Sequence, residues 1–194
     1  EFRRVLFRSA QSDRSRKDGA RAGMWGILLW LAIFPVVLII GVRNWPPVLA
    51  TAGLTAAGAL FAYKLSRQPR YGFGSTFFLA ALLASVVAMT SCYMGPFAVV
   101  PTCSATASMI FALHSTRRER GFLTGVIAFG AGVPFVAEVL GLFPRAYAFE
   151  ADRILVFARA IALPEGATTA AMAYSTLTFT VFAGVLMGRM RDSL

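Results

Sequence analysis

Ser75 to Met94 reads STFFLAALLASVVAMTSCYM, twenty residues without one charged side chain. A helix needs about 20 apolar residues to cross the hydrocarbon core of a bilayer, and this run meets that length unaided. A membrane β-strand would alternate apolar and polar residues. Here Leu79, Ala80, Ala81, Leu82, Leu83 and Ala84 are apolar in succession. Within lipid every backbone polar group has to be satisfied inside the segment, so a helix is the expected form. The whole chain shares this character. Of its 194 residues 57% are hydrophobic and 14% charged, with a mean hydropathy of +0.66. Soluble domains sit near roughly 45–50% apolar and 25% charged. The composition excludes a disordered chain and a disulfide-rich secreted module. It also argues against a soluble enzyme.

Five further apolar stretches flank this one. They run over about Met24–Val42 with Pro35 inside, Pro47–Tyr63, Phe97–Leu113 with Pro101 in its first turns, Phe122–Phe143 with Pro134 inside, and Thr169–Met187. The expected fold is an all-α membrane protein, a bundle of about six transmembrane helices over residues 23–191. Arg43 to Trp45 and Gly95-Pro96 are tight turns, so the helices they join should be antiparallel neighbours. The segment from Pro144 to Thr168 is the one long connection. In it, two apolar stretches at Ala146–Phe149 and Ile154–Phe157 flank Glu150-Ala151-Asp152-Arg153. That pattern fits a small hairpin lying on the membrane surface; a short interfacial helix fits it equally.

Charge sets the expected orientation. Arg14, Arg16, Lys17, Arg21, Lys64, Arg67, Arg70, Arg117, Arg118, Arg120, Arg189 and Arg191 fall on one side, and Arg43, Arg145, Arg153 and Arg159 on the other. Cytoplasmic loops carry the excess of Lys and Arg, which puts both termini in the cytoplasm. An even number of spans agrees. Trp25, Tyr63 and Tyr71 would mark the inner interface, and Trp45, Tyr93 and Tyr147 the outer. The arginines at 117, 118 and 120 are read as topology determinants beside anionic headgroups and not as a nucleic-acid site.

Two N-terminal segments stand apart. Residues 1–9, EFRRVLFRS, back-translate to GAG TTC AGA CGT GTG CTC TTC CGA TCT, which resembles a sequencing-library adapter read in frame. They are expected to be an artefact. Residues 10–22 are polar and basic, as expected of a juxtamembrane linker.

Few residues could carry chemistry. Glu138 is the only acidic residue inside an apolar stretch, and an ionisable group in a membrane is a functional candidate by default. It could bind a proton or cation, or pair with Arg145 or Arg159 near the outer interface. His114 is the only histidine, and a metal site needs several ligands together, so an interfacial role is expected and no metal or cofactor. Cys92 and Cys103 flank the Met94-Gly95-Pro96 turn, where they could bond to each other or pack as small apolar groups. Gly53-x-x-x-Ala57, Ser104-x-x-x-Ser108 and Ala128-x-x-x-Gly132 are small-residue patterns expected to serve helix packing. Ser175, Thr176, Thr178 and Thr180 put hydroxyls on the last stretch, where they usually bond to their own helix. Gly72-Phe73-Gly74 begins a glycine-rich pattern, but Phe77 stands at its third glycine position. Kinase triplets, HExxH and GxSxG are all missing from the sequence.

Several stretches carry a family likeness. They are Met94-Gly95-Pro96-Phe97-Ala98-Val99-Val100-Pro101, Ala107 to His114 followed by Arg117-Arg118, Leu142 to Phe149, Ala162-Leu163-Pro164, and Gly188-Arg189-Met190-Arg191-Asp192. In this order they resemble the C-terminal multi-span membrane domain of bacterial membrane-bound serine/threonine protein kinases, over Arg21 to Leu194. The resemblance implies an upstream cytoplasmic kinase domain using ATP and Mg, a basic linker, and an address in the bacterial inner membrane. It implies a membrane-anchoring and signal-sensing role, with the lipid bilayer as partner and a homodimer as an option. Kinase active-site positions have no counterpart in this sequence. The rival reading is a small ion-coupled transporter that uses Glu138, the prolines and the threonines of the last stretch. A membrane enzyme acting on lipids ranks last, for want of clustered His, Asp or Glu.

Overall fold

A computed structural model describes residues 20–21, 23–28, 30–31, 33–68 and 71–191. Residues 1–9, Arg14, Arg16, Lys17 and Arg70 lie outside that set, as does most of the basic stretch 10–22. Residues 20–21, 23–28 and 30–31 are helical. The Ile33 N–H then donates to the Trp30 carbonyl at 3.0 Å in a turn. The helix resumes as α1, Phe34–Ile40. Pro35, expected inside a span, therefore sits in the first turn of α1, where its missing N–H leaves no helical bond unmade.

Five more helices follow. These are α2 (Trp45–Arg67), α3 (Phe73–Met94), α4 (Val100–His114), α5 (Arg117–Val139) and α6 (Glu165–Arg191). Between α5 and α6 lie β1 (Tyr147–Glu150) and β2 (Arg153–Val156), an antiparallel pair with Tyr147 opposite Val156 and Glu150 opposite Arg153. The long connection thus takes the hairpin form, a small β element on an otherwise helical fold. Prolines also stand in the first turns of α2 and α4. α5 starts before its apolar stretch because Thr116 and Glu119 form a reciprocal capping box. It ends early, at Val139, where the chain turns through Gly141 at φ +73°.

Three helices are long and apolar enough to cross a membrane: α2, α3, and α5 from Arg118 onward. α4 has 15 residues, or about 22 Å at 1.5 Å per residue. α6 has 27, or about 40 Å.

α3 is the central element, packed against α2, α4 and α5. Its neighbours meet it through stripes that advance by three and four residues. On α2 the buried positions include Val48, Thr51, Thr55, Gly58, Ala62 and Leu65. On α5 they are Leu123, Ile127, Gly130, Pro134 and Ala137. Such spacing is the seam of near-parallel helix packing. Gly130 is where two backbones come closest: a Cβ there would stand 2.7 Å from the Ala84 Cβ and 2.9 Å from the Ala84 carbonyl oxygen. The small-residue patterns do not mark this contact. A Cβ on Gly53 or Gly132 would meet nothing within 4 Å, and Ala57 and Ala128 are exposed. Neither of these two patterns makes the α3–α5 contact, which falls to Gly130; Ser104 and Ser108 are half-buried on α4. Phe61 against Phe78 at 4.9 Å, and Phe73 against Phe122 at 5.7 Å, join the ends of α2, α3 and α5 that carry Lys64, Arg67, Arg118 and Arg120. This is called the basic end below.

Candidate functional site

At the end of the bundle opposite the basic end, the chain from Pro144 to Pro164 forms a strap over three helix ends. Glu138, in the last turn of α5, fastens it. Its Oε1 accepts a hydrogen bond from Arg159 Nη2 at 2.5 Å, and its Oε2 accepts one from the Ala146 N–H at 3.2 Å. The two side chains are 10% and 15% exposed. Arg159 also donates to the Pro144 carbonyl and lies over the Phe143 ring, 5.4 Å from its centroid. Its Nε has no hydrogen-bond partner among the described residues. Of the two partners open to Glu138 from sequence, Arg159 is the one that reaches it, while Arg145 is exposed on the loop. A charge withdrawn from water needs a partner with good geometry, and this pair, with the Ala146 amide, supplies one.

Backbone bonds hold the rest of the strap. The Arg159 and Ala160 N–H groups both donate to the Cys92 carbonyl, at 3.0 and 2.9 Å, near the end of α3. The Ala160 carbonyl accepts from the N–H groups of Arg43 and Asn44 at 2.9 and 3.0 Å, and the Ala162 N–H reaches the Gly41 carbonyl at 2.9 Å. Val42 and Ile161 form a β-bridge.

Tyr147 locks the hairpin. Its hydroxyl donates to the Met94 carbonyl at 2.7 Å and accepts from the Phe97 N–H at 3.1 Å. The ring fills the space over Gly95, where a Cβ would fall 2.6 Å from it. Gly95 has φ +78°, so glycine is needed there for conformation and for room. Burial raises the Tyr147 pKa above the ordinary tyrosine value; the amides of Phe97 and Ala98 oppose this, and the Glu138 carboxylate adds to it. From sequence Tyr147 was legible only as an interfacial aromatic.

A small cavity of about 60 Å³ lies under the strap, lined by Trp30, Ile33, Thr51, Thr90, Tyr93 and Ile161 among others. At the hairpin tip Phe149 and Ile154 face each other across the strands and are 73% and 59% exposed. Glu150 and Arg153 pair beside them at 2.5 Å.

The other candidates are dispersed. Cys92 and Cys103 are both free thiols. His114 ends α4, and its side chain lies outside the described set, as do those of Arg117, Arg189 and Arg191. Lys64 and Arg67 close α2, with Arg67 over the Tyr63 ring at 5.2 Å. Among the described residues no three His, Cys, Asp or Glu side chains gather as metal ligands would. Ser175, Thr176 and Thr180 each donate to the carbonyl four residues earlier. No protein-family profile matches this chain, and the search of curated proteins and of solved structures finds nothing similar to it.

Proposed function

We propose that this chain is the membrane-anchoring and signal-sensing domain of a bacterial serine/threonine protein kinase. It crosses the inner membrane six times, with both termini in the cytoplasm. The strap is its external sensing element. One observation carries the sensing part: the Glu138–Arg159 ion pair, with the Tyr147 hydroxyl and backbone hydrogen bonds, fastens a loop to the ends of α3 and α5 and to the 41–44 turn. A ligand or force that bears on the strap would act on three helix ends at once. Signalling requires two arrangements of the bundle that bias the catalytic domain differently. The kinase part rests on the sequence resemblance. Six crossings are favoured by the 40 Å reach of α6, by the apolar α4, and by the even count that the basic loops require. Glu138 is bridged at a helix end, which speaks against its use as the coupling carboxylate of a transporter.

The first test is the source locus upstream of the codon for Ala10. An in-frame kinase domain running into Gln11 supports the reading. A start codon near Met24 with no kinase upstream overturns it. The second test uses that full-length protein in vesicles with ATP and Mg. Arg159→Met is expected to change autophosphorylation severalfold. Unchanged output would reduce the domain to an anchor.

A further inference from the structure

α4 and α6 run in the same direction. Cys103 and Phe179 share one buried cluster, and Ile110 and Phe182 both lie 3.2 Å from where a Cβ on Gly26 would stand. Between the two helices is a groove of about 540 Å³, within the roughly 300–1,000 Å³ range of small-molecule sites. Thr102, Ala105 and Thr106 line it from α4, and Thr176, Thr180 and Ala183 from α6. These are small side chains, and Met109 and Phe179 add apolar surface, so the groove is largely apolar. It is also undemanding. Thr106 donates to the Thr102 carbonyl at 2.8 Å, Thr176 to that of Met172 at 2.9 Å, and Thr180 to that of Thr176 at 2.8 Å. Those three hydroxyl protons are satisfied within their own helices, so an occupant need offer no hydrogen bond at Thr106, Thr176 or Thr180.

One end of the groove points toward charge. Beyond Met109, α4 leads to His114 and then to Arg118 and Arg120, both exposed. Beyond Ala183, α6 leads to Arg189 and Arg191. An occupant with an apolar body and an anionic head would match both features. A second copy of this chain, aligned in the same sense, would instead bring two basic ends together. We propose that the groove holds an acyl chain of an anionic phospholipid, with the headgroup phosphate at the basic end. The inference rests on the membrane reading, not on the kinase reading.

The experiment is native mass spectrometry of the chain purified in mild detergent with equal phosphatidylglycerol and phosphatidylcholine. The wild type is expected to retain phosphatidylglycerol about tenfold over phosphatidylcholine, the scale that one or two basic residues near a headgroup provide. Arg118→Gln with Arg120→Gln should cut the preference severalfold. Ala105→Phe, at an exposed position that the core does not use, should strip both lipids. Equal retention of the two lipids by the wild type would overturn the proposal, as would undiminished phosphatidylglycerol on Ala105→Phe. A dimer that Ala105→Phe dissolves, with no lipid retained, would give the groove to a second copy and overturn it too. Alkaline carbonate extraction separates the two failures. A chain washed off membranes refutes the membrane reading itself, whereas a chain that stays without lipid preference refutes only the groove.

Discussion

At the scale of single residues, the strap depends on two side chains that do different work. Glu138 neutralises Arg159 in a site that admits little water. Removing one charge of a buried pair leaves the other uncompensated, which costs about 3 kcal/mol or more. Glu138→Gln is therefore expected to loosen the strap. Hydrogen exchange should quicken at the amides of Ala146, Arg159 and Ala160, while amides in the middle of α3 stay protected. Tyr147 contributes through its proton, which it gives to the Met94 carbonyl. Its pKa is raised in the folded chain, so its contribution is complete at neutral pH. It is lost only as pH rises above the ordinary tyrosine value and through the raised one. Tyrosinate absorbance followed against pH should show a late ionisation, above the ordinary tyrosine value, in the wild type that is missing from Tyr147→Phe. Glu138 was legible in sequence, because one carboxylate in an apolar stretch stands out, but the sequence leaves its partner open between Arg145 and Arg159. The Cys92 and Ala160 carbonyls were not legible, because a backbone acceptor has no sequence signature.

At the scale of elements, apolar length located the helices well and their ends poorly. α3 ends at Met94 as its sequence predicts, since Gly95 can take a positive φ that its neighbours would resist. α5 shifts toward its N-terminus because Thr116 and Glu119 cap it upstream of the first apolar residue. The hairpin and the interfacial helix could not be separated by pattern, since the twelve apolar or turn-forming residues from Ala146 to Phe157 satisfy both. The strand pairing is settled by what the hairpin touches, above all the Tyr147 contact with the α3–α4 turn. Helix packing shows the same limit. In a chain rich in Ala and Gly, small-residue spacing recurs by chance, and only three dimensions reveal that Gly130 meets Ala84. Gly130→Ala is expected to destabilise the α3–α5 contact by about 1–3 kcal/mol, read as an earlier unfolding midpoint in mixed micelles. Gly132→Ala should leave the midpoint in place, because open space surrounds that position.

At the scale of the molecule, the proposed orientation follows from where the cations lie. The ends of α2 and α6 and the start of α5 carry Lys64, Arg67, Arg117, Arg118, Arg120, Arg189 and Arg191, and the strap is at the other pole. Accessibility checks this orientation directly. With Cys92 and Cys103 replaced by alanine, Phe149→Cys should react with an impermeant thiol reagent on intact cells. Arg67→Cys should react only after permeabilisation. The reverse pattern would invert the topology. The seam between residues 41–44 and 159–162 carries a further consequence, for the order in which the protein is made. The amides of Arg43 and Asn44 leave the ribosome more than a hundred residues before the Ala160 carbonyl that receives them. Until then they have only water as a partner. The N-terminal half can therefore be threaded into the bilayer early but cannot close its own turn. That last step waits for the Ala160 carbonyl, and synthesis that stops short of Arg159 would leave a bundle with an open, hydrated rim that quality-control proteases could recognise.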